Sequence, residues 1–459
     1  MGRVRRWSGA AIVLAFGALM SVAPTAFAAP AADLPNDTGA QWQWGLTSIR
    51  APEAWSIARG AGITVAVIDS GINVNHDDLR GQLVGTADCD TALRGSDTPC
   101  VDGGGADDDG HGTHVAGIIA ATADNGIGIA GVAPDARILA IKVLHKSCPA
   151  CEPSGSAADV AAAIDYAVAR GAQVINLSVG STIQSVLGPA FADAISRAWA
   201  AGVISVVAAG NDFILGSGFS NQPAIVVSAL NRAGQDATYS NGVGAAMWAL
   251  AAPGGESDDS ASCSTSPNGI LSTYWSAEND QTGYACVAGT SMAAPHVAAA
   301  AAILRSAGLG PQQTVDRLLS SAHDISPPGR DNTFGSGSLD IAAAVDGLTP
   351  TSNGPGVSTT PTTAEIPVPL PTTEATPPSS TVKTAPSSTV TTAPPPPTSA
   401  APQVSLPRAA TVEVRPSEGD GSNLPGAWVT AAVTLTLVVG SAAGWYLLRG
   451  ADWARRTPG

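Results

Sequence analysis

Asp69, His111 and Ser291 supply a carboxylate, an imidazole and a hydroxyl, each in an unusual local setting. Asp69 ends the apolar part of GITVAVIDSGI (62–72). His111 lies in the Gly-bounded turn of DDDGHGTHVAG, and Ser291 opens AGTSMAAPHVAAAAAIL (288–304). A serine hydroxyl is a poor nucleophile near neutral pH. It becomes effective when an imidazole takes its proton and a carboxylate holds the imidazole's tautomer. Together the three could carry acyl transfer through a covalent intermediate. Their chain order, Asp then His then Ser, differs from the order in α/β-hydrolases. Ala293 also stands where a G-x-S-x-G elbow needs glycine. Taken alone, Ser291 would ordinarily be read as capping a core helix.

These groups need elements to hold them. The Val- and Ile-rich run 62–72 reads as a buried parallel strand ending at Asp69. Strands are also expected at 136–144, 172–180 and 203–211, with further candidates in AIVVSAL and MWALAAPG. Helices are expected at 112–123, 156–171 and 189–202, with Ser156 as a cap and Gly171 past an end. Strands alternating with helices predict an α/β fold, a parallel sheet with helices on both faces. Sites in such sheets form at the carboxyl ends of strands, where Asp69, Ser178 and Asn211 fall. Val297–Leu304 is apolar all round and predicts a buried helix. Thr290 is expected to cap it, leaving Ser291 in the first turn near free N–H groups. Pro295 removes the helical bond to the Ser291 carbonyl.

AVIDSGINVNHDDL (66–79), DGHGTHVAGIIA (109–120), INLSVG (175–180), VVAAGN (206–211) and GTSMAAPHVAAAAA (289–302) resemble the subtilisin family. GSGSLDIAAAV (335–345) resembles the end of that catalytic domain, so the likeness covers essentially 44–346. The resemblance implies that Asp69 orients, His111 acts as general base then acid, and Ser291 attacks the scissile carbonyl. It implies an oxyanion hole from the Asn211 amide and the Ser291 N–H. Ser178, Val179 and Gly180 would pair with an extended peptide. Ala208, Ala209 and Gly210 would form the opposite wall of a roomy, apolar specificity pocket. Asp78 and Asn125 roughly match family calcium positions, although ADNGIGIAGVAP is one residue longer before Asn125; calcium is possible, and no metal ligands are assigned. His114 and His296 read as structural, His76, His145 and His323 carry no signal, and Asp107, Asp108 and Asp109 read as a solvated loop.

Outside this domain the composition changes sharply. Residues 1–28 carry Arg3, Arg5 and Arg6, an apolar stretch and Ala26-Phe27-Ala28, which predicts a secretory signal peptide. Residues 29–43 form a short N-terminal extension, too short for a folding prodomain. The Pro-, Thr- and Ser-rich stretch 347–426 predicts a disordered tether with an average reach of roughly 50 Å. The uncharged run 427–448 is long enough to span a bilayer and has Trp428, Trp445 and Tyr446 near its ends. Arg449, Arg455 and Arg456 then place the tail 449–459 in the cytoplasm and the domain outside the cell membrane.

Cys89, Cys100, Cys148, Cys151, Cys263 and Cys286 all lie in the exported domain, so disulfides are expected. Local pairing is favoured (Cys89–Cys100, Cys148–Cys151, Cys263–Cys286), because each pair brackets one Gly/Ser/Asp-rich loop. Cys148-Pro-Ala-Cys151 has zinc-like spacing, but no second pair accompanies it. A net charge of −15 leaves no basic face for nucleic acid. Signal, QWQWGLTSIRAPEAWSIARGAG, cysteine-bearing loops, tether and anchor together resemble the mycosins, membrane-anchored subtilisin-like proteases of actinobacterial type VII secretion systems. That resemblance implies exported proteins or peptides as substrates and the type VII membrane complex as partner.

Overall fold

A computed structural model describes residues 33–351, apart from 96–97, 149–150, 152, 180–187, 212–218, 257–267, 277–280 and 326. The expected signal peptide, the apolar run 427–448, the tail, and all but the first residues of the tether lie outside the described residues. Among the described residues no helix is long and apolar enough to cross a membrane.

Val- and Ile-rich runs become strands because branched side chains pack well on a pleated surface covered on both sides. The strands are β1 (Thr64–Asp69), β2 (Leu83–Asp88), β3 (Val101–Asp102), β4 (Arg137–Lys142), β5 (Val174–Leu177), β6 (Ile204–Ala208), β7 (Ala224–Leu230) and β8 (Trp248–Pro253). They form one sheet in the order β3-β2-β4-β1-β5-β6-β7-β8. Every pairing is parallel except that of the short edge strand β3 with β2. From β1 the order proceeds outward one way through β4 and the other way through β5. The carboxyl ends of β1 and β5 therefore flank the point where ligands bind in open α/β sheets.

The alternation of side chains along each strand sorts the helices. Val65 and Val67 of β1 pack with α1 (Trp44–Ser48), α2 (Ala51–Ala54), α4 (His111–Ala120) and α7 (Thr290–Ser306). Ala66 and Ile68 point the other way, toward α5 (Ala157–Ala169) and α6 (Pro189–Ala200). Short α3 (Thr91–Arg94) follows β2, while α8 (Pro311–Ser320) and α9 (Ile341–Val345) close the domain. In α7 the residues Thr290–Leu304 are all buried, as its apolar sequence predicts. Its run of alanines lets it lie close against β5 to β8 and against α4.

An antiparallel hairpin, β9 (Ile270–Ser276) and β10 (Gln281–Val287), covers α4. The sequence reading did not include it, nor β2 and β3. Gly117 of α4 makes the close approach possible: a Cβ there would sit 2.2 Å from Thr273 Oγ1.

Candidate active site

Asp69 and His111 come together directly. Asp69 is the last residue of β1 and is 0% exposed. The imidazole Nδ1 of His111 meets its Oδ1 at 2.7 Å. A carboxylate only accepts, so Nδ1 carries the hydrogen, and in the neutral ring Nε2 keeps its lone pair. The Ser70 N–H donates to the same Oδ1 at 2.7 Å. Gly112 lets α4 come this near, since a Cβ there would lie 2.0 Å from the Gly71 carbonyl oxygen.

His111 is the first residue of α4, and every free N–H of that first turn has an acceptor. Asp109 Oδ2 takes His111 N–H at 3.3 Å, Ser70 Oγ takes Gly112 N–H at 2.9 Å, and Asp107 Oδ2 takes Thr113 N–H at 3.0 Å. Asp107 also accepts from Ser70 Oγ, Asp109 N–H and Gly110 N–H. The reading of Asp107–Asp109 as a solvated loop is therefore corrected. Asp107 is 4% exposed, and its carboxylate builds the helix start because the orphan N–H groups need it. Burial pushes its pKa up, and the hydrogen bonds from Thr113 and the backbone oppose that. Asp108 pairs with buried Lys142, and Asp109 with Lys146.

Burial alone would lower the pKa of His111. The charge and hydrogen bond of Asp69 outweigh it, aided by Asp109 and Asp107, and push the pKa up to about 9. The imidazole remains 24% exposed and reachable.

Ser291 is the second residue of α7 and 8% exposed. Its hydroxyl donates to the Ser178 carbonyl at 3.0 Å. Thr290 does not cap the helix as expected; it is the first helical residue, and Gly289 precedes it without a side-chain cap. Asn211 takes over that task, its Oδ1 accepting Thr290 N–H at 3.0 Å and Thr290 Oγ at 2.9 Å. A backbone N–H can only donate, so the facing Asn211 atom is its oxygen, and Nδ2 is directed elsewhere. Thr290 Oγ in turn accepts from Gly210 N–H at 3.0 Å.

Ser178 and Val179 follow β5, and Ala208, Ala209 and Gly210 end and follow β6, its parallel neighbour. Gly180 lies outside the described residues. Both segments thus flank the start of α7 from the same edge of the sheet. The sequence reading missed the side chains of Ser178 and Asn176. A signal was present: Pro295 leaves a buried carbonyl that must find a donor elsewhere.

Cys89–Cys100 and Cys148–Cys151 are disulfides, as expected. Cys286 is also disulfide-bonded, and Cys263 lies outside the described residues. The Asp78 and Asn125 side chains do not fit a calcium ion. Asn125 Nδ2 donates to Asp78 Oδ1 at 2.7 Å, while Ile129 N–H and Tyr284 O–H donate to Asp78 Oδ2. Asn125 Oδ1 is likewise taken by Ile127 N–H. A cation would need oxygens turned toward it where these donors now point. Among the described residues no group of three or more His, Cys, Asp or Glu could hold a metal.

His114 and His296 are buried structural residues. His114 Nε2 donates to the Ile270 and Ala285 carbonyls, joining α4 to the hairpin. Burial pulls its pKa down to about 3, and that of His296 down to about 4.

The subtilase family profile matches residues 60–337. Thermitase of Thermoactinomyces vulgaris is 37% identical over 304 residues, which span 64% of this chain and 94% of thermitase. Subtilisin DY of Bacillus licheniformis is 35% identical over 294 residues, 62% of this chain and 92% of that protein. Among solved structures, a protease from Pseudoalteromonas arctica aligns with a TM-score of 0.58 at 31% identity, covering 68% of this chain and 99% of that one. The chain belongs to the subtilase family, the subtilisin-type serine endopeptidases.

Proposed function

We propose that Ser291, His111 and Asp69 hydrolyse peptide bonds of exported proteins, on a domain held at the outer face of the membrane. The observation that carries this reading is the hydrogen bond from His111 to buried Asp69, at the sheet edge where α7 presents Ser291. Ser291 Oγ turns from the Ser178 carbonyl toward His111 Nε2, gives it the proton and attacks the scissile carbonyl. The oxyanion forms against the Ser291 N–H and Asn211 Nδ2, whose aim is fixed by Thr290 holding Oδ1. Imidazolium then protonates the leaving amine, and water repeats the steps to release the acyl group. Removing one such oxyanion donor typically costs ~10²–10³ in turnover. Ser178–Gly180 and Ala208–Gly210 receive the extended peptide on either side.

The signal, tether and apolar run 427–448 support a mycosin-like assignment, with a type VII secretion complex in the membrane as partner. A flexible tether does not aim an active site, so a specific target requires that the domain dock on its partner. The domain also stabilises that complex. A second reading is a general surface protease; a protein named extracellular protease from Xanthomonas campestris, 34% identical over 357 residues, supports action outside the cell under either reading.

The test is covalent labelling with a fluorophosphonate and mapping of the modified peptide. Ser291 should carry the label, and Ser291→Ala should abolish both labelling and cleavage with the fold intact. Full labelling of Ser291→Ala removes it as nucleophile. Crosslinked membranes that never yield secretion components with the domain leave the general surface protease as the better reading.

A further inference from the structure

Pro295 has no N–H, so the Ser291 carbonyl lacks the bond an α-helix would give it from four residues on. That carbonyl is buried beside the nucleophilic hydroxyl, where an unmet acceptor is costly. It is met from outside the helix: Ser178 Oγ donates to it at 2.8 Å. The Ser178 hydroxyl accepts in turn from Asn176 Nδ2 at 2.9 Å. Asn176 is fully buried in β5, paired in register with Val67 of β1 and Val206 of β6.

We propose that Ser178 and Asn176 are positioning residues for Ser291, returning from the sheet the hydrogen bond that Pro295 removes from the helix. This rests on Ser291 being the nucleophile. An intrahelical bond would tie Ser291 only to its own helix, which shifts as a body. The Ser178 bond ties it to β5, and Ile68 of β1 pairs with Leu177 of β5, one residue before Asp69 and Ser178 respectively. The carboxylate behind the base and the backbone of the nucleophile are thus referred to two adjacent, hydrogen-bonded strands. The proline frees the carbonyl so that the sheet can take hold of it.

The experiment is a double-mutant cycle in the full-length chain between Ser178→Ala and Pro295→Ala. Pro295→Ala restores an N–H at position 295, so the Ser291 carbonyl regains a helical donor. Ser178→Ala should slow fluorophosphonate labelling and kcat on the order of tenfold in the Pro295 background, with KM unchanged. In the Pro295→Ala background the same change should cost less than about threefold. Ser178→Thr, which keeps the hydroxyl, should label faster than Ser178→Ala. The same cycle read on the thermal midpoint should show coupling of the same sign. An equal loss in both backgrounds overturns the proposal, as does a Ser178→Thr variant as slow as Ser178→Ala. If the parent chain is not labelled at Ser291, the functional reading fails. The thermal cycle then still decides whether Ser178 and Pro295 act on one carbonyl.

Discussion

At His111 the contact that orients the ring also sets the pH at which it can act. Only the neutral imidazole can take the Ser291 proton, and Asp69 pushes its pKa up from 6.5 to about 9. The acid limb of kcat/KM should therefore lie well above pH 6.5. Asp69→Asn should move that limb down toward 6.5 and cost roughly 10⁴ in turnover, because the ring loses its tautomer and its counter-charge. A limb that stays in place in Asp69→Asn would uncouple the two residues. Stability follows the opposite course. A raised histidine pKa stabilises the fold fully below 6.5, and that contribution is lost as pH rises through about 9. From this pair alone, the domain gains activity over the range in which it loses stability.

The two buried histidines act at the scale of elements, in the opposite pH window. His114 holds the hairpin to α4, and His296 donates through Nδ1 to the Met292 carbonyl within α7. Both must stay neutral in the fold but take a proton near pH 6.5 once unfolded. Stability should fall as pH drops below 6.5, by about 2 kcal/mol per histidine at pH 5. Denaturant titrations of His114→Gln between pH 5 and 7 should show a shallower slope than the parent; an unchanged slope refutes the assignment. The main strands and helices were legible because both their periods and their ends are marked. Strands such as 224–230 are apolar but for Ser228 and buried throughout, and α5 has Ser156 before it and Gly171 after it. The β9–β10 hairpin was not legible, since it rests one side on α4 while Tyr284 is exposed, giving no clean apolar run. Among the site residues, Asp69, His111 and Ser291 stood out by type and flanking pattern, while Asn211 was marked by its place at a strand end and by the resemblance to subtilisins. Asp107 did not, because an acidic run between glycines looks solvated until Ser70 and the α4 amides close on it. Lys142 offered a hint: a lysine ending a buried strand needs a partner for its charge, here the partly exposed Asp108.

At the scale of the whole molecule, crosslinks add to the stability of the domain. Cys89 is fully buried, and its disulfide to Cys100 closes an eleven-residue separation. Replacing both cysteines by serine should cost ~2–4 kcal/mol, read as a shift in denaturation midpoint. Free Cys148 and Cys151, or zinc bound to them, in non-reducing peptide maps would refute their pairing. Deleting 427–459 should release a soluble, active protease that no longer supports processing at the membrane; activity that stays in the membrane fraction would show that 427–448 is not the anchor. The position of α7 in the chain has a consequence for timing. The Asp69–His111 pair is complete within the first third of the domain, but Ser291, the proposed nucleophile, arrives about 180 residues later. The face of the sheet at β5 to β8 lacks its main covering helix until α7 is delivered. A chain made from its amino terminus therefore stays an inert polypeptide for most of its length. It becomes able to cut only when α7 has emerged and packed onto the sheet.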